Sequence, residues 1–159
     1  MNNEIIWTEL ARLPIAKMQD VLVARFVGRD EAAKMGFPPV LLTRLATAIS
    51  EMTRNVVQHA GCPGEFQIGR LAGKERTGLR ILIADQGRGI ETPERFLGEM
   101  TQSALGSGLA GTQRIMDTFQ IESGPGVGTT VTMELWKPAA TDLPVAVGDS
   151  KWSTPTPPP

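Results

Sequence analysis

The sequence is poor in the residues from which many catalytic and metal sites are built. It has no tyrosine, one histidine (His59) and one cysteine (Cys62) among 159 residues. A lone cysteine cannot close an internal disulfide, and it has no second cysteine at a metal-ligand spacing. These absences limit the catalytic options to a few residue types.

An excess of one charge and long apolar runs are also missing. The chain has 16 basic and 17 acidic residues, a net charge of −1, and so lacks the basic character that a nucleic-acid partner would require. Its apolar runs, such as residues 81–84, are far too short to cross a membrane. Glu4, Trp7 and Glu9 interrupt the region where a signal peptide would be continuously apolar. We therefore predict a cytoplasmic protein with no nucleic-acid or membrane partner.

What is present is the composition of one ordinary globular domain. Hydrophobic residues make up 41% and charged residues 21% of the chain, and the length suits a single domain. From residue 138 onward proline recurs up to the last residue, a composition that cannot bury enough apolar surface to fold. We predict a folded domain over residues 1–137 and a disordered proline-rich tail over 138–159.

Hydrophobic periodicity and turn residues predict interleaved strands and helices. The predicted strands are 4–10 (with 13–17 as an alternative), 65–71, 79–84, 120–123 and 129–136. The predicted helices are 21–35, with Asp20 as its N-cap and Gly36 after its end, then 40–59 and 109–119. Short turns join neighbouring strands, which favours a two-layer α/β (α+β) sandwich. Its sheet would be mixed but mostly antiparallel, with helices packed on one face.

Glu51 and Asn55 stand one turn apart on the predicted helix 40–59, at the border of its apolar face. That face is formed by Leu45, Ile49, Met52 and Val56. A carboxylate and a carboxamide in this position suit a general base and a magnesium ligand, since Mg²⁺ prefers oxygen donors. A solvated glutamate beside an unremarkable asparagine is the alternative.

Asp85 follows the buried strand 79–84 directly and is itself followed by Gly87 and Gly89. Strand ends are where ligands meet loops, and a carboxylate can accept a hydrogen bond from an adenine amino group. The two glycines allow close backbone approach to a ligand. A plain strand-to-turn connection is the alternative.

Residues 106–111 read Gly106–Ser107–Gly108–Leu109–Ala110–Gly111 and match a dinucleotide-binding fingerprint literally. No strand precedes them, and no ribose-binding acid ends a strand about 20 residues later, so that interpretation fails. Glycines that open a helix can still present backbone amides to phosphate. A helix start with no ligand remains the alternative.

Gly126, Gly128 and Thr129 lead into the last predicted strand. By themselves they indicate only a hairpin. Taken in order, however, the Asn-bearing helix, the Asp85 loop, residues 106–111 and this Gly-Thr resemble the motifs of GHKL (Bergerat-fold) ATPases over residues 20–136. Arg88 stands where many of those proteins have proline.

Within that superfamily the chain resembles most the RsbT type of serine/threonine switch kinase. The resemblance implies that Asn55 is the Mg²⁺ ligand and Glu51 the base, with Asp85 binding adenine and Thr129 supporting the same pocket. It further implies that the backbone of the glycine loops holds the nucleotide, through residues Gly87, Gly89, Gly106, Ser107, Gly108, Leu109 and Gly111. Arg95 and Arg114 are both candidates for contacting the γ-phosphate.

The resemblance implies ATP and Mg²⁺ as cofactors and a part in bacterial partner switching during stress. The expected activity is transfer of the ATP γ-phosphate to a serine or threonine of an STAS-domain antagonist. It also implies a PP2C-type phosphatase as a partner activated by binding, and a homodimer is compatible with it. The alternative is a non-catalytic nucleotide-binding switch or anti-sigma factor that acts by sequestering partners.

Overall fold

The computed structural model describes residues 4–89 and 116–138. These residues form five strands, two α-helices and a short π-helical segment, Val56–Ala60. The strands are β1 (Ile6–Ile15), β2 (Gly64–Ala72), β3 (Thr77–Asp85), β4 (Thr118–Gly124) and β5 (Gly128–Trp136). The helices are α1 (Met18–Lys34) and α2 (Pro39–Asn55).

The five strands form one sheet in the order β1-β2-β3-β5-β4, with β3 at its centre. All four pairings between the described strands are antiparallel. Two tight hairpins, β2–β3 and β4–β5, account for two of these pairings, as the predicted short turns require. The prediction of a mostly antiparallel sheet is therefore confirmed.

The helices cover one face of this sheet. The predicted apolar stripe of α2 is buried along its whole length, and its four side chains are at most 5% exposed. They belong to the same core cluster as the apolar residues of the three central strands: Phe66, Ile68, Leu79, Ile81, Ile83, Val131, Met133 and Leu135. This layer between α2 and the sheet is the core of the domain.

The opposite face of the sheet carries a polar ladder, and no helix among residues 4–89 and 116–138 covers it. Arg12 pairs with Glu9 and Glu65, both at 2.8 Å, and Arg80 pairs with Glu134 at 2.7 Å. The Arg12 pairs are exposed and add little to stability, whereas the Arg80–Glu134 pair is partly buried. These pairs place charged groups on the face of the sheet that the described helices leave open.

Three local predictions need correction. Asp20 is not the N-cap of α1, because the helix begins two residues earlier, at Met18. The alternative strands 4–10 and 13–17 are one strand, β1, interrupted by a register shift between Glu9 and Ala11. The predicted helix 109–119 is wrong at its end, since Thr118 and Phe119 pair in register with Glu134 and Met133 of β5. The remainder of that helix and the tail beyond residue 138 lie outside the described residues.

Within residues 4–89 and 116–138, neither helix is long and apolar enough to cross a membrane.

The first prediction concerns Asp20, which stabilises the start of α1 from inside its first turn. Its carboxylate accepts the backbone N–H of Ala16 at 2.8 Å and of Lys17 at 3.0 Å, and these bonds hold the pKa of Asp20 below its usual value of 3.8. Because the pKa of Asp20 is lower in the folded than in the unfolded protein, its ionised carboxylate stabilises the fold at pH values above the unfolded pKa. This stabilisation is lost as the pH falls through the folded-state pKa. Asp20→Ala should therefore lower the melting temperature at pH 7.

The gap in melting temperature between the wild type and Asp20→Ala should close as the pH is lowered below about 3.8. Thermal unfolding followed by circular dichroism across this range makes the measurement. Asp20→Asn is the control, since it keeps an acceptor oxygen but cannot titrate. A gap that stays constant down to the acid limit of folding would contradict the assignment.

Candidate functional site

The candidate site is a cavity at one end of the core, where the apolar layer between α2 and the sheet meets polar side chains. The end of α2, the π-helical segment and the adjoining ends of β3, β4 and β5 enclose it. The described residues that line it are Met52, Asn55, Val56, His59, Ala60, Ile83, Asp85, Gly89, Ile121, Thr129 and Val131.

Asp85 is the last residue of β3 and lies on the helix-covered face of the sheet. It is only 9% exposed, and strand register places it between Gly64 of β2 and Thr129 of β5. Its Oδ1 accepts the backbone N–H of Gly87 at 2.9 Å, which holds the turn after the strand. A carboxylate offers about four lone-pair sites, so this one bond leaves acceptor capacity at the cavity wall.

Thr129 and Ser123 continue the polar end of the cavity on the neighbouring strands. They are register partners between β5 and β4, and their hydroxyl oxygens are 2.7 Å apart. Ser123 Oγ also donates to the backbone carbonyl of Gly128 at 3.0 Å. Ser123 is a residue that sequence reasoning missed, because only strand pairing brings it beside Thr129.

Glycine is required in the Asp85 loop by close packing of protein backbone. A Cβ on Gly87 would overlap the carbonyl oxygen of Ala60, in the π-helical segment. A Cβ on Gly89 would overlap the carbonyl oxygen of Gly124, and Gly89 also has a positive φ of 75°. The lack of a side chain at both positions thus lets the loop pack closely against neighbouring elements. Gly89 also lines the cavity.

Asn55 is the last residue of α2 and lines the cavity, at the point where the α-helix changes to the π-helical segment. Single π turns in α-helices are frequent at functional sites. The segment ends at Gly61 in the left-handed conformation, with φ of 74°. His59, the last residue of the predicted helix 40–59, lies in this segment, is exposed and lines the cavity. The π turn left no signal in the hydrophobic periodicity.

Glu51 lies one turn before Asn55, as predicted, but it is not among the residues that line the cavity. Its side chain is 21% exposed, and its Oε1 is 3.8 Å from Nη1 of Arg54. The structure thus brings Asn55, Asp85, Gly89 and Thr129 together in the lining of the cavity and leaves Glu51 out of it. Gly106, Ser107, Gly108, Leu109 and Gly111 lie outside the described residues, as do Arg95 and Arg114.

The chemistry of the described residues fits a magnesium nucleotide better than a metal held by protein alone. Within residues 4–89 and 116–138, no group of three or more histidine, cysteine, aspartate or glutamate side chains could hold a metal ion. Mg²⁺ commonly takes only one or two ligands from the protein and completes its shell with phosphate oxygens and water. The carboxamide of Asn55 at the cavity edge fits that pattern.

The sequence of this chain matches the model of the histidine kinase-like ATPase domain over residues 16–135. That span includes all of α1, α2 and β2 to β4 and all but the last residue of β5. It therefore contains every described residue of the cavity. The chain belongs to the histidine kinase-like ATPase family.

Proteins to which this chain is similar include kinases and anti-sigma factors. It is 39% identical over 119 residues to serine/threonine-protein kinase RsbT of Bacillus subtilis. The aligned region covers 74% of this chain and 89% of the relative. It is 30% identical to the anti-sigma F factor of Caldanaerobacter subterraneus, over 75% of this chain and 87% of the relative. Serine-protein kinase RsbW of Bacillus pumilus is 29% identical, over 83% and 88%.

A solved structure has the same fold. The RsbU and RsbW domains of a Mycobacterium tuberculosis protein superpose with a TM-score of 0.52 at 20% identity. The match covers 82% of this chain and 34% of that longer chain. At this identity it supports the fold alone, in agreement with the sheet and the single helical layer.

The second prediction tests the packing of the Asp85 loop. Gly87→Ala should destabilise the protein by about 1–3 kcal/mol, the usual cost of forcing an atom into a filled space. The matched control is Gly124→Ala, where the nearest atom to an added Cβ is 3.8 Å away, and this change should stay within about 0.5 kcal/mol. Urea unfolding of both variants gives the two values. Equal stability of the two variants would show that the loop does not pack against Ala60.

Proposed function

We propose that this protein is a serine/threonine protein kinase that binds ATP in the cavity and transfers its γ-phosphate to a protein hydroxyl. The observation that carries the proposal is Asp85, a carboxylate that is 9% exposed at the end of a largely apolar cavity. Buried polar groups are normally hydrogen-bonded. Asp85 keeps acceptor capacity beyond its bond to Gly87, so a ligand that brings a donor fits this position. Membership of an ATPase family with kinase relatives supplies the class of reaction.

The cavity suits the base of the nucleotide. Met52, Ile83 and Val131 offer apolar walls for a flat ring, while Asp85 keeps acceptor sites for the 6-amino group of adenine. The hydroxyl of Thr129 lies opposite Asp85 across the β3–β5 pair. A pocket that is mostly apolar with a few fixed polar groups is typical of small-ligand sites.

The phosphates would extend from the base towards the end of α2. Asn55 would hold Mg²⁺ through its carboxamide oxygen, and the bound metal supplies neutralisation of charge on the phosphate oxygens. Glu51, which precedes Asn55 by one helical turn of about 5.4 Å, would accept the proton of the attacking hydroxyl. Its partly exposed side chain suits this role, because the acceptor hydroxyl must arrive from solvent.

The remaining predicted contacts keep their assignments within this proposal. Backbone amides of the glycine-rich residues 106–111 would hold phosphate oxygens, and either Arg95 or Arg114 would contact the γ-phosphate. The residues whose backbone amides would hold the phosphate oxygens are Gly106, Ser107, Gly108, Leu109 and Gly111. Positioning and charge neutralisation account for most of phosphoryl-transfer catalysis, so this set of groups is sufficient.

We propose an STAS-domain antagonist protein as the substrate and a PP2C-type phosphatase as a second partner. The names of the relatives, which include kinases and anti-sigma factors, support partner switching as the setting. A purely sequestering anti-sigma factor is less well supported, because it would have no need of Glu51. A homodimer also remains a prediction.

The third prediction tests the adenine contact. Asp85→Asn should weaken ATP binding severely, because one of the two acceptor oxygens becomes an amide group that donates. Calorimetric titration with Mg·ATP measures the affinity. The control is Asp30→Asn, which removes a surface carboxylate that pairs with Lys34 at 3.0 Å. A folded Asp85→Asn protein with wild-type ATP affinity would rule out the assigned contact.

The fourth prediction separates the two groups on α2 by how their loss affects the kinase. Asn55→Ala should lower Mg²⁺-dependent nucleotide binding and turnover together. Glu51→Ala should bind ATP nearly normally while phosphate incorporation into an STAS-domain partner falls by roughly 10²–10⁴-fold, as expected for a positioned base. Radiolabelled ATP gives the transfer rate, and calorimetry gives the affinity of each variant.

Glu31→Ala provides the matched control for Glu51→Ala. The Glu31 side chain is 20% exposed and pairs with the basic residue three positions later, as Glu51 does, but it lies on α1. It should keep full kinase activity. Full activity of Glu51→Ala would refute the role of base, and a wild type that binds Mg·ATP without phosphorylating a cognate partner would favour the sequestering alternative.

A further inference from the structure

Helix α1 carries an apolar stripe that no element among residues 4–89 and 116–138 covers. Met18, Leu22 and Phe26 follow one another at four-residue spacing and therefore lie on one side of the helix. Phe26 is 70% exposed and Leu22 is 63% exposed. The residues that α1 buries against the rest of the domain lie on another side: Val21, Ala24, Gly28 and Ala32. Contiguous exposed apolar side chains, unlike single ones, mark an interaction surface.

The two edges of this α1 stripe differ in charge. Arg25 and Arg29 lie along one edge, and both are exposed. Neither forms an ion pair with any other of residues 4–89 and 116–138. Towards the other edge, Asp30 is already paired with Lys34 at 3.0 Å. The stripe therefore suits a ligand that combines apolar side chains with a carboxylate.

The chain leaves the described domain close to the C-terminal end of α1. Lys137 follows β5, and its Nζ lies 3.2 Å from the position that a Cβ on Gly36 would take. Gly36 comes just after the last residue of α1, Lys34. From there Phe26 is about 15 Å away along the helix, a distance that five extended residues span at about 3.3 Å each. The chain beyond residue 138 is therefore long enough to reach the α1 stripe.

One segment of this C-terminal sequence has the composition that the stripe suits. Residues 142–149 read Asp142–Leu143–Pro144–Val145–Ala146–Val147–Gly148–Asp149. In an extended chain, alternate side chains fall on one side at intervals of about 6.6 Å. Successive residues of the α1 stripe are about 6 Å apart, so three alternate apolar residues of the segment match its three residues in spacing.

We propose that residues 142–149 bind along the α1 stripe, antiparallel to the helix. Leu143, Val145 and Val147 cover the stripe, and Asp142, which precedes them, pairs with Arg29. The composition of the tail predicts no independent fold, but such a segment can order on a surface that a folded domain supplies. Attachment to the same chain favours this ligand, because the tether keeps it at a high effective concentration. The inference does not depend on the proposed kinase activity.

The fifth prediction is tested by disulfide cross-linking of the full chain, with oxidised glutathione as the oxidant. Cys62 is the only cysteine, so Cys62→Ser provides a background for pairs of new cysteines. Leu22→Cys with Val145→Cys should form an intramolecular disulfide roughly tenfold faster than Val40→Cys with Val145→Cys, because binding raises the effective concentration. Val40 is 51% exposed near the end of α1, so an unbound tail would reach it as readily. Non-reducing gels of timed samples give both rates.

A second arm tests the charge pair and the stripe in the Leu22–Val145 cysteine pair. Arg29→Glu should slow the cross-link roughly two- to fivefold, the range expected for an exposed ion pair. Adding Asp142→Lys should restore the rate, since the two charges are then exchanged. Phe26→Asp should also slow the cross-link, whereas the matched change Val23→Asp, at an exposed position of α1 outside the stripe, should not.

Three results would each overturn the inference. The first is equal cross-linking rates at Leu22 and Val40, and the second is a rate that Arg29→Glu or Phe26→Asp leaves unchanged or that the charge exchange fails to restore. The third is disulfide-linked dimers in place of the intramolecular product at dilute protein, which would show that a second copy of the chain covers the stripe.

Discussion

The site depends on the register that holds β3 between β2 and β5. That register puts Asp85 level with Gly64 on one side and Thr129 on the other. A slip of one residue would turn every β3 side chain to the other face and would move Asp85 from the cavity to solvent. Small residues make the close approach feasible, since a Cβ on Gly64 would lie 2.6 Å from the carbonyl oxygen of Ala84.

The two faces of the sheet explain why the cavity has its location. The helix-covered face is apolar from Leu79 to Ile83 along β3 and becomes polar only at Asp85. The open face carries ion pairs such as Arg80–Glu134 at 2.7 Å and needs no cover. The place where the core ends, beside the last turn of α2, therefore offers a ligand both an apolar wall and a carboxylate.

The polar groups in and near the cavity divide into two sets with different chemistry. Asp85, Thr129 and Ser123 form one rigid set on the sheet, held by strand pairing and by the turn around Gly128. Asn55 and Glu51 form the other set on α2, where the change to a π turn follows directly after Asn55. In the proposed kinase the sheet recognises the base and the helix serves the phosphates, so substitutions in the two sets should affect different steps.

Sequence patterns were sufficient for the existence of α1 and α2 and for most of the described strands. The period of Leu45, Ile49, Met52 and Val56 predicted the buried face of α2, and glycine-rich turns predicted the antiparallel hairpins. The predicted start of α1 was wrong. Asp20 accepts backbone N–H groups from the third helical position, and in the sequence such an aspartate looks the same as one at the N-cap. Thr118 and Phe119 were taken for helix because their strand character comes from pairing with β5.

The sequence by itself determined which residue types stand at strand and helix ends, and hence the candidates Asn55, Asp85 and Thr129. Local order is enough for this, because a strand end or a helical turn is defined by neighbours along the chain. Only the tertiary structure decided that these residues share a cavity, that Glu51 lies outside its lining, and that Ser123 contacts Thr129. Those relations depend on strand register and on packing between elements, which the local sequence pattern does not encode.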